Sequence, residues 1–307
     1  VKRTESAMKA EQITERVAEH GEGPVWDAAG GRLLIVDMLA GEVLDLGDPA
    51  ACSAAGEPVT AVRHAIGSPV AAALRPRASG GFVVATEHGF SLFDDRFGLE
   101  RSVPDVVADA GIRMNDGGCD PQGRFYCGTM AYDEEPGAGT LYRLDPDGAT
   151  HVVFDSVTIS NGLQWSADGE TAYYVDTPTK RVDVFDFDGT DASFHDRRTL
   201  VTVDPADGHP DGLAVDADGG VWVALWNGGQ VRRYDLAGVL TAVVEVPGVS
   251  NTTAAAFGGP DLSTLYVTTS RQGIAEGTEA AAGAVFAVDP GVRGRPLPIF
   301  ATPPLVE

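Results

Sequence analysis

The chain has 307 residues, 43% of them hydrophobic, which is enough for a well-buried core and excludes global disorder. A formal charge of −23 excludes a nucleic-acid partner, whose phosphates it would repel, and disfavours anionic membrane surfaces. No apolar run is long enough for a membrane-spanning helix, so neither membrane nor nucleic acid is an expected partner.

In chain order, residues 4–19 are the one stretch compatible with helical periodicity. About residues 1–11 read as a flexible or short helical tail. The segment "ITERVAE" that follows is placed to supply an outer strand to the last repeat. No leader-like stretch precedes the first motif, so a cytoplasmic protein is expected, although Val1 in place of methionine leaves a removed segment open. Thereafter 38 glycines and 19 prolines punctuate short strands. Six segments share one plan. Their middle strands read "RLLIVDM", "GFVVATE", "RFYCGTM", "TAYYVDT", "VWVALWN" and "TLYVTTS". The strands after them read "GEVLDLGD", "FSLFDD", "TLYRLDP", "RVDVFDF", "QVRRYDL" and "AVFAVDP", rich in the β-branched and aromatic residues that half-buried strands favour. Outer strands fall in segments such as "HVVFDS" and "AVVEVP". Four strands per unit, at a period of roughly 45 residues, predict a single all-β domain, a six-bladed β-propeller spanning residues 1–307. A β-sandwich or β-helix is the competing arrangement, and repeat length favours the propeller.

Four repeats align on the turn after their first strand: "EGPVWDAAGG", "NDGGCDPQGR", "NGLQWSADGE" and "DGLAVDADGG". The leading residues Glu22, Asn115, Asn161 and Asp211 each stand five places before the Asp or Ser that opens the turn. In a propeller the first strand of each blade lines the central channel, so these four side chains are expected at one mouth. Hard oxygen donors without thiolate or imidazole suit Ca²⁺, Mg²⁺ or Mn²⁺. A ring of hydrogen-bonded polar residues around channel water is the other reading of the same pattern. "DPDG", "DFDG" and "DADG" open like an EF-hand loop but never reach a twelfth-position Glu, and read as turns. His209 stands two residues before Asp211, close enough to the mouth to touch a ligand, although a loop histidine is more often a bystander. Cys52, Cys119 and Cys127 have no CxxC spacing and are expected as free thiols.

The stretches "GEGPVWD", "RMNDGGCDPQGRFYCGTM", "SNGLQWSADG", "TAYYVDT", "PDGLAVDADGGVWVALWNGGQVRRYD" and "TTAAAFGG" together resemble the senescence marker protein/gluconolactonase/luciferin-regenerating enzyme family, over about residues 15 to 300. The resemblance implies a six-bladed propeller holding one divalent metal ion in its channel and hydrolysing sugar-type lactones such as gluconolactone. It implies Glu22, Asn161 and Asp211 as metal ligands, with Ca the expected ion and Zn, Mg or Mn as alternatives. Asp211 is also the implied general base, and Arg113 and Asn115 the implied substrate contacts. Arg113 has the alternative role of neutralising nearby acids. Regucalcin-like members place a carboxylate shortly after "GTM"; here the chain reads "AYDEEPG", which makes Asp133, then Glu134, the expected equivalent. Hydrolysis of organophosphates or other esters at the same site, and a non-catalytic calcium-binding propeller, are the rival functions. The expected assembly is a monomer or small homo-oligomer.

Overall fold

The computed structural model describes residues 7–301. Strands dominate, and six antiparallel sheets of four strands each form a ring, a six-bladed β-propeller. The innermost strands are Gly21–Asp27, Ala73–Pro76, Ile112–Cys119, Ser160–Trp165, His209–Val215 and Thr252–Gly258. Each lies against the next around the ring, and the sixth packs back against the first. All run the same way along the channel, so residues near their starts share one end and residues near their finishes share the other.

The predicted middle strands coincide with Arg32–Asp37, Phe82–Ala85, Phe125–Ala131, Thr171–Asp176, Val221–Trp226 and Thr264–Thr269. Alternate residues of these strands face opposite neighbours, so both faces are apolar and the core lies between blades. One such layer joins Val25, Leu34 and Val36 of the first blade to Leu74, Phe82, Val84 and Phe93 of the second. Another is aromatic: Trp165 packs its ring on Tyr126 at 5.1 Å and on Phe187 at 5.6 Å.

The N-terminal segment corrects the expected helix or tail. Met8–Lys9 is a strand pairing in parallel with Leu240–Glu245, outside the fifth blade. Glu11–Gln12 pairs antiparallel with Phe286–Val288 and is the outer strand of the sixth blade. "ITERVAE" continues along that edge, with the Ile13 N–H donating to the Val285 carbonyl at 2.9 Å and the Ala18 N–H to Gly283 at 3.0 Å. Blade six therefore joins both ends of the described chain, which closes the ring. The part of the expected tail in residues 1–6 lies outside the described residues. A seven-residue helix, Pro49–Ala55, was not expected, although "DPAACSAAG" carries its signals: Asp48 caps it, proline opens it, and Gly56 ends it left-handed.

The turns after the inner strands are side-chain turns, as the sequence suggests. The Asp216 Oδ1 accepts from the Asp218 and Gly220 N–H groups at 2.9 and 2.7 Å. Past the last strand, residues 293–301 cross the far end of the channel. Backbone bonds tie Arg293 to Ala217, Phe300 to Pro76 and Ala78, and Ala301 to Gly123. The channel thus has a strapped floor and one open mouth. All three cysteines are free thiols; Cys119 and Cys127 are buried, and burial pushes both well above the usual thiol range.

Candidate metal and substrate site

The mouth is built by bulges. In the first, third, fourth and fifth blades the register between the inner strand and its neighbour slips, between Glu22 and Val25, Met114 and Gly117, Asn161 and Leu163, and Pro210 and Leu213. A bulge leaves a residue out of the ladder and re-aims its side chain. Glu22, Asn115, Asn161 and Asp211 sit in or beside these slips and turn into the channel. The glycines after Asn161 and Asp211 are needed for close approach of neighbouring blades. A Cβ on Gly162 would meet Leu213 at 2.7 Å, and one on Gly212 would meet Ala254 at 2.6 Å. The Asn-Gly and Asp-Gly pairs are therefore bulge-and-contact chemistry on channel strands, not hairpin turns.

Two blades contribute no such donor. The second reads "VAAALRP" and has no slip in its inner pair. The sixth has a slip, but Thr253 there donates to the Gly21 carbonyl at 2.6 Å and serves ring closure. The donor set is accordingly lopsided.

Glu22, Arg113, Asn115, Asn161 and Asp211 line one cavity of about 270 Å³, together with His20, Met130, Glu134, Ile159, Thr177, His209, Trp226, Asn227 and Gln272. Glu22 and Asp211 are 4% and 5% exposed. Neither makes a salt bridge among the described residues; the Glu22 carboxylate accepts only from the Gly23 N–H, at 3.1 Å. Burial, then the nearby Asp116, pushes Glu22 up to about 8. Burial, then Glu22 and Asp116, holds Asp211 well above the usual carboxylate range. Arg113 is lowered by burial, and buried His20 is lowered to about 3 by burial and then Arg113, so its imidazole is neutral.

One hydrogen-bonded chain fixes the amides. Arg113 Nη1 donates to Asn115 Oδ1 at 2.7 Å. The Asn115 amide donates to the Ser160 carbonyl at 2.8 Å and to Asn161 Oδ1 at 3.0 Å. The Asn161 amide donates to Thr177 Oγ1 at 2.7 Å, whose hydroxyl donates to the Pro210 carbonyl at 2.8 Å. Both N–H groups of Asn115 are spent inside the protein, leaving only its oxygen free to accept more. Asn161 is held with its nitrogen on Thr177 and its oxygen towards Asn115. Thr177 was not singled out in the sequence; it lies just past the middle strand "TAYYVD", where no repeat alignment points. His20, Trp226 and Gln272 were missed for the same reason.

Of the two acids expected after "GTM", Glu134 lines the cavity and Asp133 does not. The expectation that placed Asp133 first is corrected: its carboxylate turns back to accept from the Glu135 N–H at 3.3 Å, while Glu134 takes a left-handed φ of 59°. Tyr132 spans the gap between them and the second blade. Its ring sits 5.7 Å from the Arg113 guanidinium and its hydroxyl donates to Glu87 at 2.7 Å.

Two buried carboxylates without a basic partner and one oriented amide oxygen are a hard-oxygen donor set that fits a divalent cation. Residues 20–271 match the family described as SMP-30/gluconolactonase/LRE-like region. The chain belongs to this family. Regucalcin of Xenopus laevis is 37% identical over 278 residues, covering 88% of this chain and 90% of that one. Among solved structures of similar proteins, a regucalcin of Agrobacterium tumefaciens, named as a calcium-binding protein, superposes with a TM-score of 0.86 at 30% identity, over 96% and 98% of the two chains. A luciferin-regenerating enzyme superposes with a TM-score of 0.84 at 28% identity, over 95% and 99%.

Proposed function

We propose that the protein is a divalent-cation-dependent lactonase that opens sugar-type lactones such as gluconolactone. The observation carrying this reading is the convergence of unpartnered Glu22 and Asp211 with Asn161 in a cavity that Arg113 also lines. In this reading Glu22, Asn161 and Asp211 hold the cation. Family membership and the calcium-binding relative support calcium. The cation supplies Lewis acidity at a carbonyl oxygen.

The rest is done by the chain's own groups. Arg113, desolvated and braced by Asn115, donates its remaining N–H groups to ring hydroxyls and fixes the lactone against rotation. Asn115 acts mainly as the brace that sets Arg113 on one side and Asn161 on the other. Glu134 accepts from a hydroxyl at the outer edge. Asp211 takes a proton from the attacking water while the water oxygen bonds to the carbonyl carbon; the ring C–O bond then breaks as Asp211 returns that proton to the leaving ring oxygen. Holding the cation is the larger of the two Asp211 roles, because three protein ligands leave little to spare. The calcium-binding relative also supports a second reading, a propeller that binds calcium without turnover.

A panel of lactones, aryl esters and phosphotriesters, assayed after chelation and re-addition of Ca, Mg, Mn or Zn, separates these readings. We expect cation-dependent turnover of aldonolactones above the other substrates. Asp211→Asn distinguishes the two roles: recovery in excess cation marks a ligand, and a loss of roughly 10²- to 10⁴-fold with the cation retained marks a base. Calcium binding without turnover of any substrate would leave the binder.

A further inference from the structure

The chain has only three lysines, and Lys180 is the one beyond residue 9. It caps the 3₁₀ turn Thr177–Thr179 at the mouth end of the fourth blade, with a left-handed φ of 59°. Glycine or asparagine adopts that conformation at lower cost, so a lysine there is held for its side chain. Its ammonium contacts His209 Nδ1, and no carboxylate pairs with it among the described residues. Burial alone lowers it, with no acid raising it. Lys180 is the one lysine among the partly or fully desolvated cations that make no salt bridge among the described residues, the others being Arg75, Arg113 and Arg295, and its ammonium is free to take an anion.

The contact also sets the imidazole. An ammonium has only donors, so His209 Nδ1 must accept and Nε2 carries the hydrogen. His209 lines the cavity, as does Asn227, which sits at a left-handed φ of 60° and whose amide makes no hydrogen bond among the described residues. His209 pairs in register with Trp226, so Asn227 follows directly on the same wall. One wall of the cavity therefore presents the His209 Nε2–H and the Asn227 amide, with the Lys180 charge directly behind His209. Arg113 already lies within electrostatic reach of Glu22 and Glu134. A divalent cation between Glu22 and Asp211 would cancel those two charges, and Arg113 would cancel Glu134. Lys180 is then the surplus.

We propose that Lys180, His209 and Asn227 form an anion subsite on the wall between the fourth and fifth blades, so that the favoured lactone carries an anionic group, carboxylate or phosphate ester, remote from its ring carbonyl. For turnover this rests on the lactonase reading above; for binding it does not. The turnover test compares lactones of one ring that end in a hydroxymethyl, a carboxylate or a phosphate ester, with wild type and Lys180→Gln. In wild type, at low salt, kcat/KM for one anionic lactone exceeds that of the neutral one by about tenfold, chiefly through KM. In K180Q that ratio falls close to one. The larger of the two anionic effects names the group. A ratio unchanged by K180Q, both substrates losing equally, or a wild-type preference for the neutral lactone overturns the subsite. If no lactone is turned over, the lactonase reading fails by itself, and calorimetry decides the subsite: an open-chain aldarate should bind more tightly than the aldonate, and K180Q should remove about fivefold or more of that difference. Equal binding of the two acids by wild type overturns it.

Discussion

The two ends of the channel treat buried acids in opposite ways. At the strapped end, Asp27, Asp120 and Asp216 open the turns after their inner strands, and each is answered by an arginine. Asp216, fully buried, accepts from Arg233 Nε at 2.6 Å and from Trp222 Nε1 at 2.8 Å. Asp120 accepts from Arg124 Nε at 2.5 Å and the Tyr126 hydroxyl at 3.0 Å. Arg32 binds Asp27 at 3.0 Å. At the mouth, Glu22 and Asp211 are buried about as deeply and have no such partner. Asp211 and Asp216 stand only five residues apart, one near the start of the strand His209–Val215 and the other directly after its end. The fold evidently can pair a buried carboxylate, so leaving two unpaired at the mouth is a difference of purpose: one end is built to be stable, and on the proposed function the other is built to receive a cation.

Substituting the two aspartates should separate these purposes. Asp216→Ala leaves Arg233 and the Trp222 N–H without their acceptor, and should cost about 3–5 kcal/mol in denaturant unfolding. Asp211→Ala removes a desolvated, unpaired acid, so the cation-free protein should be at least as stable as wild type, while lactone hydrolysis is abolished. An Asp211→Ala protein as destabilised as Asp216→Ala would erase the distinction. A smaller effect belongs to Thr177. Thr177→Val frees the Asn161 amide to rotate and should weaken cation affinity by about tenfold, the scale of lost outer-sphere support, with little change in unfolding. Unchanged affinity would show that the Arg113–Asn115–Asn161–Thr177 chain does not orient the ligand.

Blade number, the middle and third strands, and the meeting of Glu22, Asn115, Asn161 and Asp211 were legible because they repeat. Each recurs at a fixed offset from a turn, and the propeller converts that offset into proximity. What does not repeat was hidden. The bulges that aim those side chains leave no trace beyond a glycine, and Asn-Gly in isolation reads as a turn. Thr177 and His20 act through tertiary hydrogen bonds unique to one blade. Asp133 and Glu134 differ only by which one the loop's left-handed residue turns inward. The N-terminal strands are two residues each, too short for periodicity to register; they are strands only because another blade's edge receives them.

The central claim, that Glu22 and Asp211 form an unpaired acidic pair awaiting a cation, has a sign in pH. Both are raised above their unfolded values, Glu22 from 4.5 to about 8, so the cation-free fold prefers them protonated. Their contribution to its stability is fully present below the unfolded value and is lost as pH rises through the folded one. A divalent cation must displace those protons, so its affinity should rise with pH through about 8, where Glu22 ionises. The direct measurement is calcium titration by calorimetry at several pH values, in buffers of different ionisation enthalpy, with Asp211→Ala alongside. Protons released on binding below about pH 8, with affinity climbing over the same interval, are what the account predicts. Tight binding with no proton release and no pH dependence from pH 6 to 9 would mean that the two carboxylates are already ionised and stabilised by the protein itself, which contradicts it.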